Sequence, residues 1–264
     1  VQTVAFNEGE IFKFQEGCYT VAVDGKPWQR NFVNVWGLDF SADGRHVAAE
    51  VRTNLYDYTI AVDGVPWGQR FNAVWEPRFH PQDGTVSAPV KIGGSWTLAR
   101  DGERLWSGNY FQLWHQTYSP DGGRLAAIVA PRFGKWTIAV DDRPWSRTFD
   151  GLVTEAGFSP QGGHIACVAK EKDRWTIVVD GRAWDGDHDM AWRPVFSPDG
   201  RHVAAKVEKN GGYRMLLDGR VLRTDFEALW PPAFSPDGRR LLIRGLGSGA
   251  ESGRYLREVV ALDA

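Results

Sequence analysis

The chain has 264 residues, 42% hydrophobic and 13% aromatic, and its formal net charge is −2. Near-neutral charge argues against a nucleic-acid-binding surface, which needs a basic face, and no apolar run approaches the roughly 18 residues of a membrane span. The 2 cysteines are too few for a disulfide-rich secreted scaffold, and Cys-x-x-Cys-His, the usual c-type haem attachment motif, is absent. We therefore expect no cofactor, no nucleic-acid partner and no direct insertion into a membrane.

A repeated motif of an aromatic residue, Ser-Pro-Asp-Gly and an apolar segment runs along the chain. Six copies begin 38 to 40 residues apart, at Phe40, Phe79, Tyr118, Phe158, Phe196 and Phe234. A degenerate earlier copy begins at Phe6 and ends at Gly9. In this motif proline presets φ for a turn and glycine closes it, so the segment predicts a tight turn between two strands.

A second motif keeps the same period. It reads Tyr/Trp-Thr-Ile-Ala-Val-Asp-Gly in its clearest form and begins at Tyr19, Tyr58, Trp96, Trp136, Trp175 and Tyr213, with a degenerate copy from Tyr255. Asp-Gly between apolar residues predicts a type I′ hairpin, because both central residues need positive φ. Each repeat of about 38 residues therefore predicts four antiparallel strands; in the second repeat they cover about residues 35–41, 46–52, 56–62 and 65–73.

The repeats predict an all-β protein with almost no helix. Face-to-face stacking buries both faces of each sheet, and closing the ring removes free ends of the stack. We predict a single domain over residues 1–264, a closed β-propeller of about seven four-stranded antiparallel blades, with six as the alternative count. One blade has only three strands or is completed by the N-terminal residues.

The Phe-Ser-Pro-Asp-Gly motif resembles the WD40-like repeat of TolB-type β-propellers, and the resemblance covers nearly the whole chain. The companion motif, Thr-Ile-Ala-Val-Asp-Gly-x-Pro-Trp, resembles the propeller subunit of the transmembrane tetrahaem cytochrome c redox complex of sulfate-reducing bacteria. That resemblance implies a non-haem scaffold subunit of an electron-transfer assembly, with other redox-complex subunits as partners. We accordingly expect a cytoplasmic protein that reaches a membrane, if at all, through its partners.

The 13 tryptophans also follow the repeat. One set comes after the Asp-Gly hairpin, a second comes four residues before the motif aromatic and a third opens the third strand (28, 67, 106, 145, 184; 36, 75, 114, 192, 230; 96, 136, 175). Because every ring has a repeat position, we interpret them as fully buried packing between blades and not as a ligand cage.

Histidine and cysteine give little sign of a special site. His46, His164 and His202 share one repeat position, which scatters them around the ring. His188 lies in the acidic segment Asp-Gly-Asp-His-Asp, for which a solvated loop is favoured over a calcium site, because calcium needs six or more oxygen ligands. Cys167, within an apolar second strand, is predicted to be a small buried hydrophobic residue.

The common catalytic and nucleotide-binding motifs are absent, so we predict no enzymatic activity. The residues that give this protein its specific function are then expected where the repeats differ from one another. Directly after the repeat position that usually holds the tryptophan before the motif aromatic, four copies carry Glu76, His115, Glu155 and Arg193. We predict that these residues start the first strand at one mouth of the channel and bind a partner protein. Two alternatives are a small-molecule or hydrolytic site at that mouth, and an ion pair of Glu76 or Glu155 with Arg193 that fastens neighbouring blades.

Overall fold

The computed structural model of the protein describes residues 17–262, which consist almost entirely of β-strands and their connections. In this range the only helix is a 3-10 turn at Gly249–Glu251, so the predicted all-β class is confirmed. The predicted early motif copy at Phe6 lies outside the described residues. Among the described helices none has the length and apolarity to cross a membrane.

The chain divides into two compact units between Gln116 and Thr117. The first unit contains three antiparallel sheets. Sheet 1 pairs β1 (Ala22–Val23) with β2 (Lys26–Pro27), and sheet 2 has the order β3 (Asn34–Phe40), β4 (Val47–Arg52), β5 (Tyr58–Val62), β6 (Val65–Pro66). In sheet 3 the strands are β7 (Ala73–Val74), β8 (Arg78–Phe79), β9 (Val86–Ile92), β10 (Ser95–Arg100) and β11 (Glu103–Arg104), with β7 and β8 both paired to β9.

Three further sheets follow along the chain. The boundary between the units falls inside β12 (Gln112–Tyr118), which opens sheet 4 ahead of β13 (Leu125–Arg132), β14 (Lys135–Val140) and β15 (Arg143–Pro144). Sheet 5 has the order β16 (Leu152–Phe158), β17 (Ile165–Glu171), β18 (Arg174–Val179), β19 (Arg182–Ala183). Sheet 6 holds β20 (Met190–Ala191), β21 (Val195–Phe196), β22 (Val203–Lys209), β23 (Gly212–Leu217), β24 (Arg220–Leu229), β25 (Ala233–Phe234), β26 (Arg240–Gly247) and β27 (Tyr255–Ala261). A single domain over the whole chain stays a prediction.

Sheet 6 has eight strands because it contains two repeats joined by one long strand. The first half of β24 pairs with β23, and its second half pairs with β26. Phe226, in the middle of β24, lies opposite both Tyr213 and Gly247. The last repeat has first, second and third strands but no outer strand within residues 17–262, as the sequence predicts.

The predicted hairpins have the expected backbone. In the turn between β5 and β6, Asp63 has φ 49° and Gly64 has φ 85°. The Asp63 carboxylate also accepts the Val47 backbone N–H at 3.0 Å and lies 2.6 Å from His46 Nδ1. Each Asp-Gly turn is thereby tied to the start of the second strand of its own sheet, and His164 and His202 repeat the contact with Asp180 and Asp218.

The outer strands are much shorter than predicted. In sheet 2 the outer strand covers Val65–Pro66 and not residues 65–73. Beyond Pro66 the regular ladder gives way to separate bonds. The Trp67 N–H donates to the Ile60 carbonyl at 2.8 Å. The Thr59 hydroxyl donates to the Gln69 carbonyl at 2.8 Å. One isolated bridge between Tyr58 and Phe71 then fixes the end of the segment.

Burial separates the tryptophans into groups, which corrects the prediction that all are fully buried. Trp67 and Trp96 are buried, but Trp36 and Trp230 are 42% and 41% exposed. Four of the rings that precede a motif aromatic pack on the third-strand aromatic of the same repeat (Trp36, Trp75, Trp192, Trp230), and the centroids of Trp75 and Trp96 are 3.9 Å apart. Such a ring therefore covers one edge of its sheet and leaves its other face to solvent.

The tryptophans after the hairpins do connect successive sheets. Trp28 lies against Gly64 of the next repeat, where an added Cβ would come 3.1 Å from the Trp28 Cβ. Trp145 covers Gly181 in the same way in the second compact unit. Glycine at this turn position therefore supplies both positive φ and the space for a neighbouring indole.

Candidate functional site

The repeat position of the predicted site forms a bulge in the first strand. Gly37, Glu76, His115 and Glu155 all have positive φ, at 44°, 46°, 49° and 55°. In sheet 2 the register shifts between Trp36 and Leu38, which leaves Gly37 as the extra residue. The prediction that these residues start the strand is therefore wrong, because they interrupt it, and the bulge re-aims their side chains.

In the first compact unit, Glu50, Glu76 and His115 form a linked chain of contacts. Glu50 Oε1 accepts the Glu76 backbone N–H at 2.5 Å. Glu76 Oε2 in turn accepts the His115 backbone N–H at 2.6 Å, and Glu76 Oε1 lies 3.3 Å from His115 Nδ1. Each carboxylate thus accepts the backbone N–H at the bulge of the following repeat. This hydrogen bond fixes both the position of the negative charge and the backbone conformation at the bulge.

A buried amide holds the bulge at Glu76 from behind. Gln116 is 3% exposed, and its Nε2 donates to the Glu76 carbonyl at 2.7 Å and to the Ser87 carbonyl at 2.9 Å. The Ser87 hydroxyl completes the arrangement by donating to Gln116 Oε1 at 2.7 Å. Both the nitrogen and the oxygen of the Gln116 amide are therefore hydrogen-bonded, and one of these bonds holds the backbone carbonyl of Glu76 from the buried side.

The cluster combines a half-buried carboxylate with two side chains that are accessible to solvent. The pKa of Glu50 lies above its usual value. Burial raises it most, the hydrogen bond from the Glu76 backbone opposes this, and the charge of Glu76 raises it further. The side chain of His115 is 64% exposed and that of Glu76 is 31% exposed. The cluster therefore presents an imidazole and a fixed carboxylate to solvent above a second, half-buried carboxylate.

Glu155 and Arg193 lie in the second compact unit, and both are exposed. The Arg193 guanidinium lies over Gly157, with Nη2 3.4 Å from the place of an added Cβ. Within residues 17–262 no ion pair joins Glu155 to Arg193, so that alternative for this pair is wrong. Arg193 also lacks the positive φ of the other three residues and stands between β20 and β21.

Sequence analysis missed Glu50, although a signal for it exists. Glu50 lies in β4 opposite Trp36. The equivalent second-strand positions of the next five repeats carry Pro89, Ile128, Val168, Lys206 and Arg244. Glu50 is the one carboxylate among these six positions, and Gly37 beside it explains its role, because a side chain on Gly37 would collide with Glu50 Oε1.

His188 is the clearest correction among the histidines. A solvated loop was expected, but the residue is 4% exposed and forms a β-bridge with Trp175. The same bridge position carries a buried aromatic residue elsewhere (Phe32, Phe71, Tyr110, Phe149). The described residues contain no group of three or more His, Cys, Asp and Glu arranged to hold a metal ion.

Cys167 is fully buried, as predicted, and burial raises the pKa of its thiol. A thiol in that state is poorly ionised and therefore a poor nucleophile.

A groove of about 620 Å³ lies in the second compact unit, away from Glu155 and Arg193. Its lining includes Trp184, Arg182 and several polar groups that pair with each other or with nearby residues. Asp180 contacts His164 at 2.7 Å, and Arg201 contacts Asp199 at 2.7 Å. Several of the polar groups in the groove are therefore already paired with neighbouring side chains.

No family model and no curated protein matches the sequence. Among solved structures, the chain is similar to TolB from Acinetobacter baumannii, with 16% identity and a TM-score of 0.42, over 74% of this chain and 55% of that one. It is also similar to the Myceliophteria thermophila Cps50 (Swd1) β-propeller domain (17% identity, TM-score 0.40, 87% and 84% coverage). A third likeness is to the Dos1 propeller (11% identity, TM-score 0.43, 86% and 78% coverage). The chain thus spans about half the length of the TolB chain.

Proposed function

We propose that this protein is a non-catalytic scaffold that binds a partner protein through the cluster of Glu50, Glu76 and His115. The observation that carries the proposal is the fixed position of Glu76: its backbone is held at φ 46° while its carboxylate caps the next bulge. Non-glycine residues with positive φ cost of order 1–3 kcal/mol each and gather at functional sites. Glu76 and His115 adopt it in consecutive repeats.

Charge defines the kind of partner. Within residues 17–262 no lysine or arginine pairs with Glu50 or Glu76, and His115 is the one basic group in contact with them. A lysine or arginine of a partner would offset the repulsion between the two carboxylates. Such pairs govern partner choice and orientation more than total affinity. A basic segment of another protein therefore fits this cluster, whereas an anionic small molecule would be repelled.

The predicted closed ring belongs to the same proposal. The six sheets contain seven repeats, because sheet 6 contains two and sheet 1 contains the last two strands of one. Sheet 1 lacks first and second strands, and the last repeat lacks an outer strand, within the described residues. We infer a closed seven-bladed propeller, in which one blade has only three strands or is completed by the N-terminal residues. Glu155 and Arg193, in the second compact unit, stay predicted partner-binding residues.

Membership of an electron-transfer complex rests on the sequence resemblance alone. It names redox-complex subunits as partners and a membrane as the destination, and both stay predictions. The companion motif that supports it also has a structural role, since its threonine and Asp-Gly fix the outer segment and the hairpin.

The test is to place a photo-crosslinking amino acid at position 115, identify the captured protein, and measure its affinity once purified. Glu76→Gln keeps an acceptor oxygen for the His115 N–H and removes the charge. We expect it to weaken binding by about tenfold, equivalent to roughly 1.4 kcal/mol. Glu103→Gln, at an exposed position in β11, is the matched control and should leave affinity unchanged. Equal affinities for both variants would contradict the proposal, and capture of a metabolite but no protein would favour the small-molecule alternative.

The bulge itself gives a separate prediction for stability. Glu155 is exposed with φ 55°, and Gly37 shows that glycine fits the equivalent position. Glu155→Gly should raise the free energy of unfolding by about 0.5–1 kcal/mol, because the relieved strain exceeds the entropy cost of glycine. Glu103→Gly, in an ordinary strand, should lower it by a similar amount. Urea unfolding decides, and equal losses in the two variants would show that the bulge is unstrained.

A further inference from the structure

His188 occupies a place that the repeat otherwise gives to a large aromatic ring. Its backbone N–H donates to the Trp175 carbonyl at 3.1 Å, and its carbonyl accepts the Trp175 N–H at 2.8 Å. Phe149 makes the same two bonds with Trp136, at 2.7 and 2.8 Å. Both segments connect the outer strand of one sheet to the first strand of the next. His188 thus stands at the connection from sheet 5 to sheet 6, inside the second compact unit.

The imidazole is enclosed and one of its nitrogens lacks a partner. His188 is 4% exposed, and Nδ1 is a buried atom without a hydrogen bond. Gly186 makes room for the ring, since an added Cβ there would come 2.6 Å from Nε2. A phenylalanine needs no such partner, so histidine at this position introduces a polar group without a structural gain.

Four charged groups act on the ring, namely Asp187 and Asp189 beside it, Lys209 from β22 and Arg214 from β23. Arg174 from β18 is a further charge nearby, through its contact with Asp189. The two aspartates already pair with cations. Asp187 contacts Lys209, and Asp189 contacts Arg174 and accepts the Asn210 N–H. Burial first, and Lys209 and Arg214 next, lower the pKa of His188, while the aspartates oppose them. The two carboxylates beside the ring are already paired with cations, and their effect does not outweigh that of burial and the neighbouring cations.

We propose that His188 is an acid-operated latch, whose protonation releases the connection between sheets 5 and 6 from Trp175. In the closed state the ring stays neutral. In the open state it is solvated and takes up a proton at its ordinary pKa of roughly 6.5. The open state therefore binds more protons below that pH, and the closed population falls as the pH falls. Above it the latch is closed.

Hydrogen exchange at two equivalent amides tests the latch within one molecule. The His188 N–H is compared with the Phe149 N–H, whose slot is apolar, after correction for intrinsic exchange rates. Between pH 7.5 and pH 5.0 we expect the protection of His188 to fall by about tenfold or more relative to Phe149. In the variants His188→Phe and His188→Tyr, the protection of position 188 relative to Phe149 should not change with pH. Tyrosine is chosen because Tyr110 occupies the equivalent bridge position.

His164→Phe is the control for a histidine that is exposed and paired with Asp180. This variant should keep the pH response of position 188. The latch would be overturned if the protection of His188 relative to Phe149 in the wild type did not change with pH. It would also be overturned if this relative protection declined in the same way in a folded His188→Phe or His188→Tyr variant. None of these results depends on a partner protein, so the latch and the proposed function can fail separately.

Discussion

Phe149→Ala is expected to lower the free energy of unfolding by about 3–5 kcal/mol, the range for a fully buried aromatic cut to alanine. Phe149 is 0% exposed, and the Arg147 guanidinium carbon lies 5.2 Å from its ring centroid. Removal of the ring leaves a cavity at the bridge with Trp136 and loses its transfer free energy. Denaturant unfolding measures the change directly.

Phe133→Ala is the matched control, because Phe133 lies in the same sheet region but is 81% exposed. We expect a change within about 0.5 kcal/mol for it, as for most surface positions. A loss below about 1 kcal/mol at Phe149 would mean that the bridge position is not a core position. The inference about His188 would then lose its structural basis as well.

Gly245→Ala should have the second large effect, a loss of about 2–4 kcal/mol from overpacking between strands. Gly245 is buried in β26 opposite Leu229 of β24. A Cβ would come 2.7 Å from the Ala228 carbonyl oxygen and would also collide with the Phe226 ring. Because Phe226 is 1% exposed, neither the ring nor the strand can move aside without disturbing the core.

Gly163→Ala provides the comparison in the same compact unit. Nothing lies within 4 Å of an added Cβ there, and φ is not positive. The free energy of unfolding of Gly163→Ala should stay within about 0.5 kcal/mol of the wild-type value or rise slightly, because alanine reduces the conformational freedom of the unfolded chain. If Gly245→Ala behaves like Gly163→Ala, the pairing of β24 with β26 that joins the last two repeats is wrong.

The sequence predicted the strands and turns well because each has a local physical cause. Asp63 and Gly64 have the positive φ that an Asp-Gly hairpin requires, and β4 and β5 begin within two residues of their predicted starts. The outer strand was overestimated because separate backbone bonds and a threonine hydroxyl, not a continuous ladder, hold the residues beyond Pro66. Apolar pattern alone does not distinguish these two ways of holding an extended segment.

The site was predicted only in part. Variation at one repeat position indicated Glu76 and His115, but nothing local predicts positive φ for glutamate or histidine. The clue was Gly37 in the same column. Glu50 and Gln116 reach the bulge through contacts between strands and repeats, which a linear pattern does not show. His188 was assigned to a loop by its acidic neighbours, whereas alignment of the bridge positions places it among buried aromatics.

A charge exchange across the complex tests the central claim most directly. Once the partner's basic residue nearest position 115 is known from the crosslink, Glu76→Lys is paired with a change of that residue to glutamate, and all four combinations are titrated. We expect each single change to weaken binding by about tenfold or more and the double exchange to restore most of the affinity. Full affinity in Glu76→Lys alone, with an unchanged melting temperature, would contradict the claim that this cluster is the docking point.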